Sequence, residues 1–73
     1  MIASETIAKQ ISELMLEYGA RLDASVALVQ EHCSEDELKL YRRAVGTVMG
    51  EMLIEITNPL YESHPNLKPQ GLG

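Results

Sequence analysis

The segment CSEDEL, residues 33–38, constrains the fold more than any other part of this sequence. Ser34 followed three residues later by Glu37 has the spacing of a capping box, in which each side chain accepts a backbone N–H of the other residue. Glu35 and Asp36 add negative charge at the positive end of the helix dipole. A helical pattern also leads up to this segment, so one helix ends and the next begins within two or three residues. A connection this short predicts an antiparallel helical hairpin.

The first helix is predicted to run from Ser4, whose side chain can cap its first turn, to about His32. Apolar or small side chains recur along it in steps of four and three, which is the spacing of one helix face. The positions are Ile7, Ile11, Leu14, Tyr18, Leu22, Ser25 and Val29, widened by Ala8, Met15, Val26 and Leu28. At about 100° per residue, this apolar face covers about half of the helix circumference.

The second helix is predicted over about residues 35–57 and has an equally wide apolar face. Its stripe consists of Leu38, Tyr41, Val45, Val48, Met52 and Ile56, flanked by Ala44, Met49 and Leu53. Because Pro59 disfavours helical geometry in the residue before it, the helix is expected to end at Thr57 or Asn58. Asn58 could also cap one extra helical turn that begins with Pro59.

The chain therefore divides into a helical hairpin domain, residues 1–58, and a C-terminal segment, residues 59–73. This segment is predicted to contain a short turn and an extended, partly disordered tail, because residues 64–73 have two prolines, two glycines and no apolar periodicity. His64 is expected to be exposed. Leu60, Tyr61 and Leu67 could fold back onto the helices, and the proline-containing tail could also dock onto a partner.

The width of the apolar faces predicts association. Two helices that pack only on each other use a narrow seam of about two residues in seven, whereas these faces are wider, at roughly three or four in seven. A lone hairpin would leave much of this surface in water. The sequence therefore predicts an all-α fold in which two hairpins form a homodimeric four-helix bundle. Alternatively, the chain is an adaptor or chaperone hairpin that forms a heterodimer with an amphipathic helix of a partner protein.

The predicted interface combines residues from the apolar faces of both helices. It comprises Ile11, Leu14, Tyr18, Leu22, Tyr41, Val45, Gly46, Val48, Met49, Gly50, Met52 and Leu53. The two glycines stand four residues apart inside a helix, where each costs about 1 kcal/mol relative to alanine. Gly19 and Ala20 of the first helix should lie at the same level, so small residues on both helices would permit a close approach. The glycines sit at the edge of the stripe, which suggests approach by a further helix or the tail; alternatively, they are tolerated without a packing role.

Charge and composition narrow the function classes. The formal net charge is −5, so nucleic acids and anionic lipid surfaces are not expected partners. The sequence has no apolar run of the about 18 residues that a transmembrane helix needs, and its N-terminal segment lacks the pattern of a secretory signal. A single cysteine excludes an internal disulfide. These features favour a cytoplasmic protein.

The polar residues do not form a recognisable catalytic pattern. His32 and Cys33, flanked by two glutamates, could in principle bind zinc or provide a nucleophile, but the paired spacings of a structural zinc site are missing. The Glu-x-x-His step of a bundle metal site does not occur either. Arg42 is expected to form a structural ion pair with Asp23 across the hairpin. The sequence therefore predicts a non-catalytic protein without cofactor or metal, which acts in protein–protein interaction or assembly.

Overall fold

The computed structural model describes residues 1–68, and all regular structure within them is helical. Its elements are α1 (Glu5–His32), α2 (Glu35–Met52), a π-helical turn (Leu53–Thr57), α3 (Asn58–Ser63) and a 3₁₀ turn (Pro65–Leu67). The predicted antiparallel hairpin of two long helices is confirmed. Residues 69–73, part of the predicted disordered tail, lie outside the described residues.

Serine caps both long helices, as the sequence predicts. The hydroxyl oxygen of Ser4 accepts the N–H of Ile7 at 3.3 Å, and that of Ser34 accepts the N–H of Glu37 at 3.2 Å. The second half of the capping box differs from the prediction, because the Glu37 carboxylate accepts from the Ser34 hydroxyl, also at 3.2 Å. Cys33 is extended, with φ −125° and ψ 170°. Two non-helical residues are therefore sufficient to reverse the chain.

The prediction that the second helix ends at residue 57 or 58 is wrong. Helical backbone continues through Pro59 to Ser63, and Asn58 keeps the helical angles φ −63° and ψ −48°. A proline in an α-helix clashes with the carbonyl four residues earlier. The π-helical turn bonds the N–H of Asn58 to the carbonyl of Leu53, and we attribute the tolerance of proline to this wider turn. The alternative of an extra helical turn that begins with Pro59 is confirmed by α3, but no side-chain cap marks the start of this helix.

The described part of the C-terminal segment packs over the first turns of α1. Leu60 and Ala8 are fully buried, at 0% exposure each. The hydroxyls of Ser12 and Tyr61 lie 2.6 Å apart and hydrogen bond. The fold-back of Leu60 and Tyr61 onto the helices is therefore confirmed. We call residues 58–68 the C-terminal clasp.

The end of the clasp is also bonded to the N-terminal residues. His64 is half-buried, and its Nε2 bonds to the carbonyl oxygen of Ile2. A carbonyl oxygen only accepts, so Nε2 carries the proton. The side-chain amide of Asn66 donates to the carboxylate of Glu5. The predictions of an exposed His64 and of an extended chain directly after it are wrong, because these contacts hold the 3₁₀ turn against α1.

The molecule is a single layer of helices. It measures 44 × 21 × 16 Å, and α1 alone accounts for the longest dimension at about 42 Å. Leu38 and Val45 are buried between α1 and α2. The hydroxyls of Ser25 and Tyr41 hydrogen bond at 2.7 Å and fix the register of the hairpin. A layer this thin leaves its two broad sides open to solvent.

Candidate interaction surfaces

The first broad side carries exposed aromatic and aliphatic residues. The Ser25–Tyr41 hydrogen bond marks this side. Tyr18 precedes Ser25 on α1 by seven residues, and Val48 follows Tyr41 on α2 by seven residues. Seven residues are about two helical turns, so Tyr18 and Val48 lie on the same side as the bond and at the same level as each other. Tyr18 is 48% exposed and Val48 is 49% exposed. We call Leu14, Tyr18, Tyr41 and Val48 the tyrosine face.

The second broad side contains an apolar groove of about 380 Å³ between α1 and α2. Its lining residues are Met15, Leu16, Gly19, Ala20, Asp23, Met49, Met52, Leu53, Thr57 and Tyr61. Leu16 and Ala20 follow Leu14 and Tyr18 by two residues each, a rotation of about 200° around the helix. The groove therefore lies opposite the tyrosine face. We call it the methionine groove.

The residues predicted for one interface are divided between these surfaces. Four of them form the tyrosine face, and Met49, Met52 and Leu53 line the methionine groove. Ile11 and Leu22 are half-buried. Val45 is only 6% exposed, so its side chain belongs to the hairpin core and is not available to a partner.

Several groove residues on α1 are missing from the predicted interface. Periodicity alone places Leu16 outside the apolar stripe, although it is 48% exposed and lines the groove. The signal that could have revealed it is its spacing of three and four residues from Gly19 and Ala20, which puts all three on one helix surface.

The glycines of α2 are not in tight contact within this chain. A Cβ added to Gly19 would lie 3.8 Å from the side chain of Met49, which is an ordinary contact distance. A Cβ added to Gly46 or Gly50 would meet nothing within 4 Å. Among residues 1–68, neither α1 nor the clasp makes the close approach for which these glycines leave room. The space beside them is open.

The predicted ion pair between Arg42 and Asp23 is wrong. Among residues 1–68, Arg21 pairs with Glu17 at 3.5 Å, and Nε2 of His32 lies 3.9 Å from the carboxylate of Glu31, both at the surface. Asp23 lines the methionine groove, and Arg42 precedes the groove residue Met49 by seven residues, so both lie on the groove side. Both are exposed, where hydration competes with pairing.

The cysteine at the turn has a thiol that loses its proton less readily than usual. Local desolvation and a hydrogen bond with the Glu37 carboxylate raise the pKa of the Cys33 thiol, although the residue is exposed. The thiolate is the nucleophilic and metal-binding form, so this shift lowers reactivity at neutral pH. Within the described residues, no three His, Cys, Asp or Glu side chains form a group that could hold a metal ion.

Alkylation of Cys33 should report the raised pKa. The rate of reaction with iodoacetamide, followed against pH, should show its inflection above the ordinary thiol value of about 8.5. Glu37→Gln should lower the inflection, because it removes the carboxylate and keeps a residue that suits the capping box. Since the chain has one cysteine, the label reports this site alone. An inflection at or below that of the chain in urea would contradict the assignment.

No helix of residues 1–68 combines the length and the apolar character that crossing a bilayer requires. Comparison of the chain with protein-family models, curated proteins and solved structures finds no significant match. The two open apolar surfaces are therefore interpreted from their own residues.

Proposed function

We propose that this protein is a non-catalytic interaction or assembly module, in which two copies pack one of their two open broad sides together to form a four-helix bundle. The observation that carries the proposal is the half-exposure of Leu16, Tyr18, Val48 and Leu53 on a single layer of helices. Domains normally consist of two packed layers around one core. A second copy of the hairpin supplies the second layer, and twofold dimers are the commonest oligomers.

The polar groups between the helices support a non-catalytic role. The Ser25 hydroxyl bonds to that of Tyr41, and the Ser12 hydroxyl bonds to that of Tyr61. Within the described residues, no buried side-chain nitrogen or oxygen lacks a hydrogen-bond partner. Catalytic sites usually contain convergent polar groups in a pocket. Here the hydroxyls are used to join elements of the fold.

The second candidate is an adaptor or chaperone hairpin that holds an amphipathic helix of another protein. The observation that favours it is the presence of Met15, Met49 and Met52 along the groove. Methionine side chains are flexible and polarizable, so they adapt to differently shaped apolar partners. A groove between two helices is a common docking site for an amphipathic helix.

Sedimentation equilibrium of the isolated chain at micromolar concentration distinguishes the two. Self-association predicts a folded species with twice the chain mass of 8.1 kDa. The adaptor predicts a chain that is aggregated or partly unfolded until its partner is added. A folded, stable monomer with no tendency to associate would contradict self-association.

A further inference from the structure

We infer that the methionine groove is the self-association surface, and that a second copy of this chain occupies it with both turns at the same end of the bundle. The inference rests on the proposed self-association. It specifies which of the two open sides is used and in which of two orientations the copies meet. Three features of the hairpin support it.

Small residues leave room for a second layer at the groove. Gly19 lies against Met49, so Gly46 and Gly50 are close to its level along the hairpin. Gly46 precedes the groove residue Leu53 by seven residues and therefore lies on the groove side. The space beside both α2 glycines is open. At this level the opposite side carries the larger Tyr18 and Val48, so the groove side permits the closer approach of helix backbones.

Carboxylates make the tyrosine face less suitable for a second copy. Glu51 and Glu55 follow Val48 by three and seven residues, which places both along the edge of that face on α2. Both are exposed, and neither belongs to an ion pair of the described residues. A chain with net charge −5 would bring more negative charge to them.

Charge complementarity at the groove selects the orientation. The register set by the Ser25–Tyr41 bond places Asp23 of α1 and Arg42 of α2 at nearly the same level. If a twofold axis parallel to the helices relates the two copies, both turns lie at the same end of the bundle. Each α2 then lies over α1 of the other copy, and residues keep the same height along the bundle. Arg42 of each copy then lies over Asp23 of the other, and opposite charges meet twice. When the turns are at opposite ends, these charges are separated along the bundle.

Charge reversal tests this arrangement. Asp23→Arg and Arg42→Asp, each alone, should weaken dimerisation roughly tenfold, because both contacts become repulsive. An equimolar mixture of the two variants should regain the wild-type affinity as a heterodimer, since both of its contacts again join opposite charges. The readout is sedimentation equilibrium, with circular dichroism to confirm that the variants fold. If the variants acted by breaking an Asp23–Arg42 pairing within each chain, mixing them would not restore the affinity.

The single cysteine provides an independent measurement of orientation. A nitroxide label on Cys33 should give a distance between copies below about 30 Å when the turns share one end, because neighbouring helices lie about 10 Å apart. Turns at opposite ends would separate the labels by roughly the length of α1, about 40 Å.

The possible results distinguish a failure of this inference from a failure of the proposed self-association. A wild-type monomer overturns both. A wild-type dimer with a long Cys33 distance, or one that neither charge variant weakens, overturns the inference and leaves self-association standing. An isolated wild-type chain that is aggregated or partly unfolded favours the adaptor and also overturns the inference.

Discussion

Leu60→Ala should lower the free energy of unfolding by about 2–5 kcal/mol, the usual cost of removing a buried leucine side chain. Leu60 is 0% exposed and is the largest fully buried side chain of the described residues. It belongs to the C-terminal clasp, and Ala8 in the first turns of α1 is also 0% exposed. A single core in a chain of this size rarely provides more than about 3–5 kcal/mol, so the variant should be close to unfolding at room temperature.

Urea denaturation followed by circular dichroism measures this effect, at one fixed protein concentration because association contributes to apparent stability. Leu40→Ala is the matched control, since Leu40 is 73% exposed. It should change the free energy of unfolding by less than about 0.5 kcal/mol. Equal losses from the two variants would show that the clasp does not stabilise the hairpin.

The parts of the fold that depend on neighbouring residues could be predicted from the sequence. Ser4 and Ser34 cap α1 and α2 because a capping hydroxyl needs only an N–H three residues away. Apolar steps of three and four predicted both long helices, since that spacing follows from the helix geometry itself.

The C-terminal clasp could not be predicted in the same way. The rule that proline ends a helix describes local sterics, and it failed at Pro59, where a π-helical turn precedes a buried Leu60. His64 bonds to Ile2 across a separation of 62 residues in the sequence, and Asn66 bonds to Glu5 across 61. Periodicity contains no information about contacts between such distant residues.

The sequence indicated which residues form the apolar faces of the two long helices, but not how those faces are arranged in the structure. The apolar face of α1 is wider than its contacts with α2 and the clasp, and the buried residues are Ala8 at one edge of this face and Ser12 beside it. The opposite edge, with Leu14 and Tyr18, is left half-exposed. Which edge of a wide face packs depends on the rotation of each helix about its axis. Side-chain packing sets that rotation, and a helical wheel does not show it.

Leu53→Glu should convert the proposed dimer into a monomer at micromolar concentration. Leu53 lines the methionine groove and is 51% exposed in the single chain, so a second copy would bury it. A glutamate there would lose hydration on association, and a penalty of about 3 kcal/mol or more weakens the dissociation constant by over about 100-fold. Sedimentation equilibrium measures the mass, and circular dichroism checks that the helices remain.

Two further variants make the result specific. Ile54→Glu changes the next residue, which is 62% exposed and does not line the groove, so the dimer should persist. Tyr18→Glu places the same charge on the tyrosine face and should also leave the dimer intact. If Tyr18→Glu gives the monomer and Leu53→Glu does not, the copies meet through the tyrosine face. A new carboxylate prevents association only when the interface buries it and removes its water.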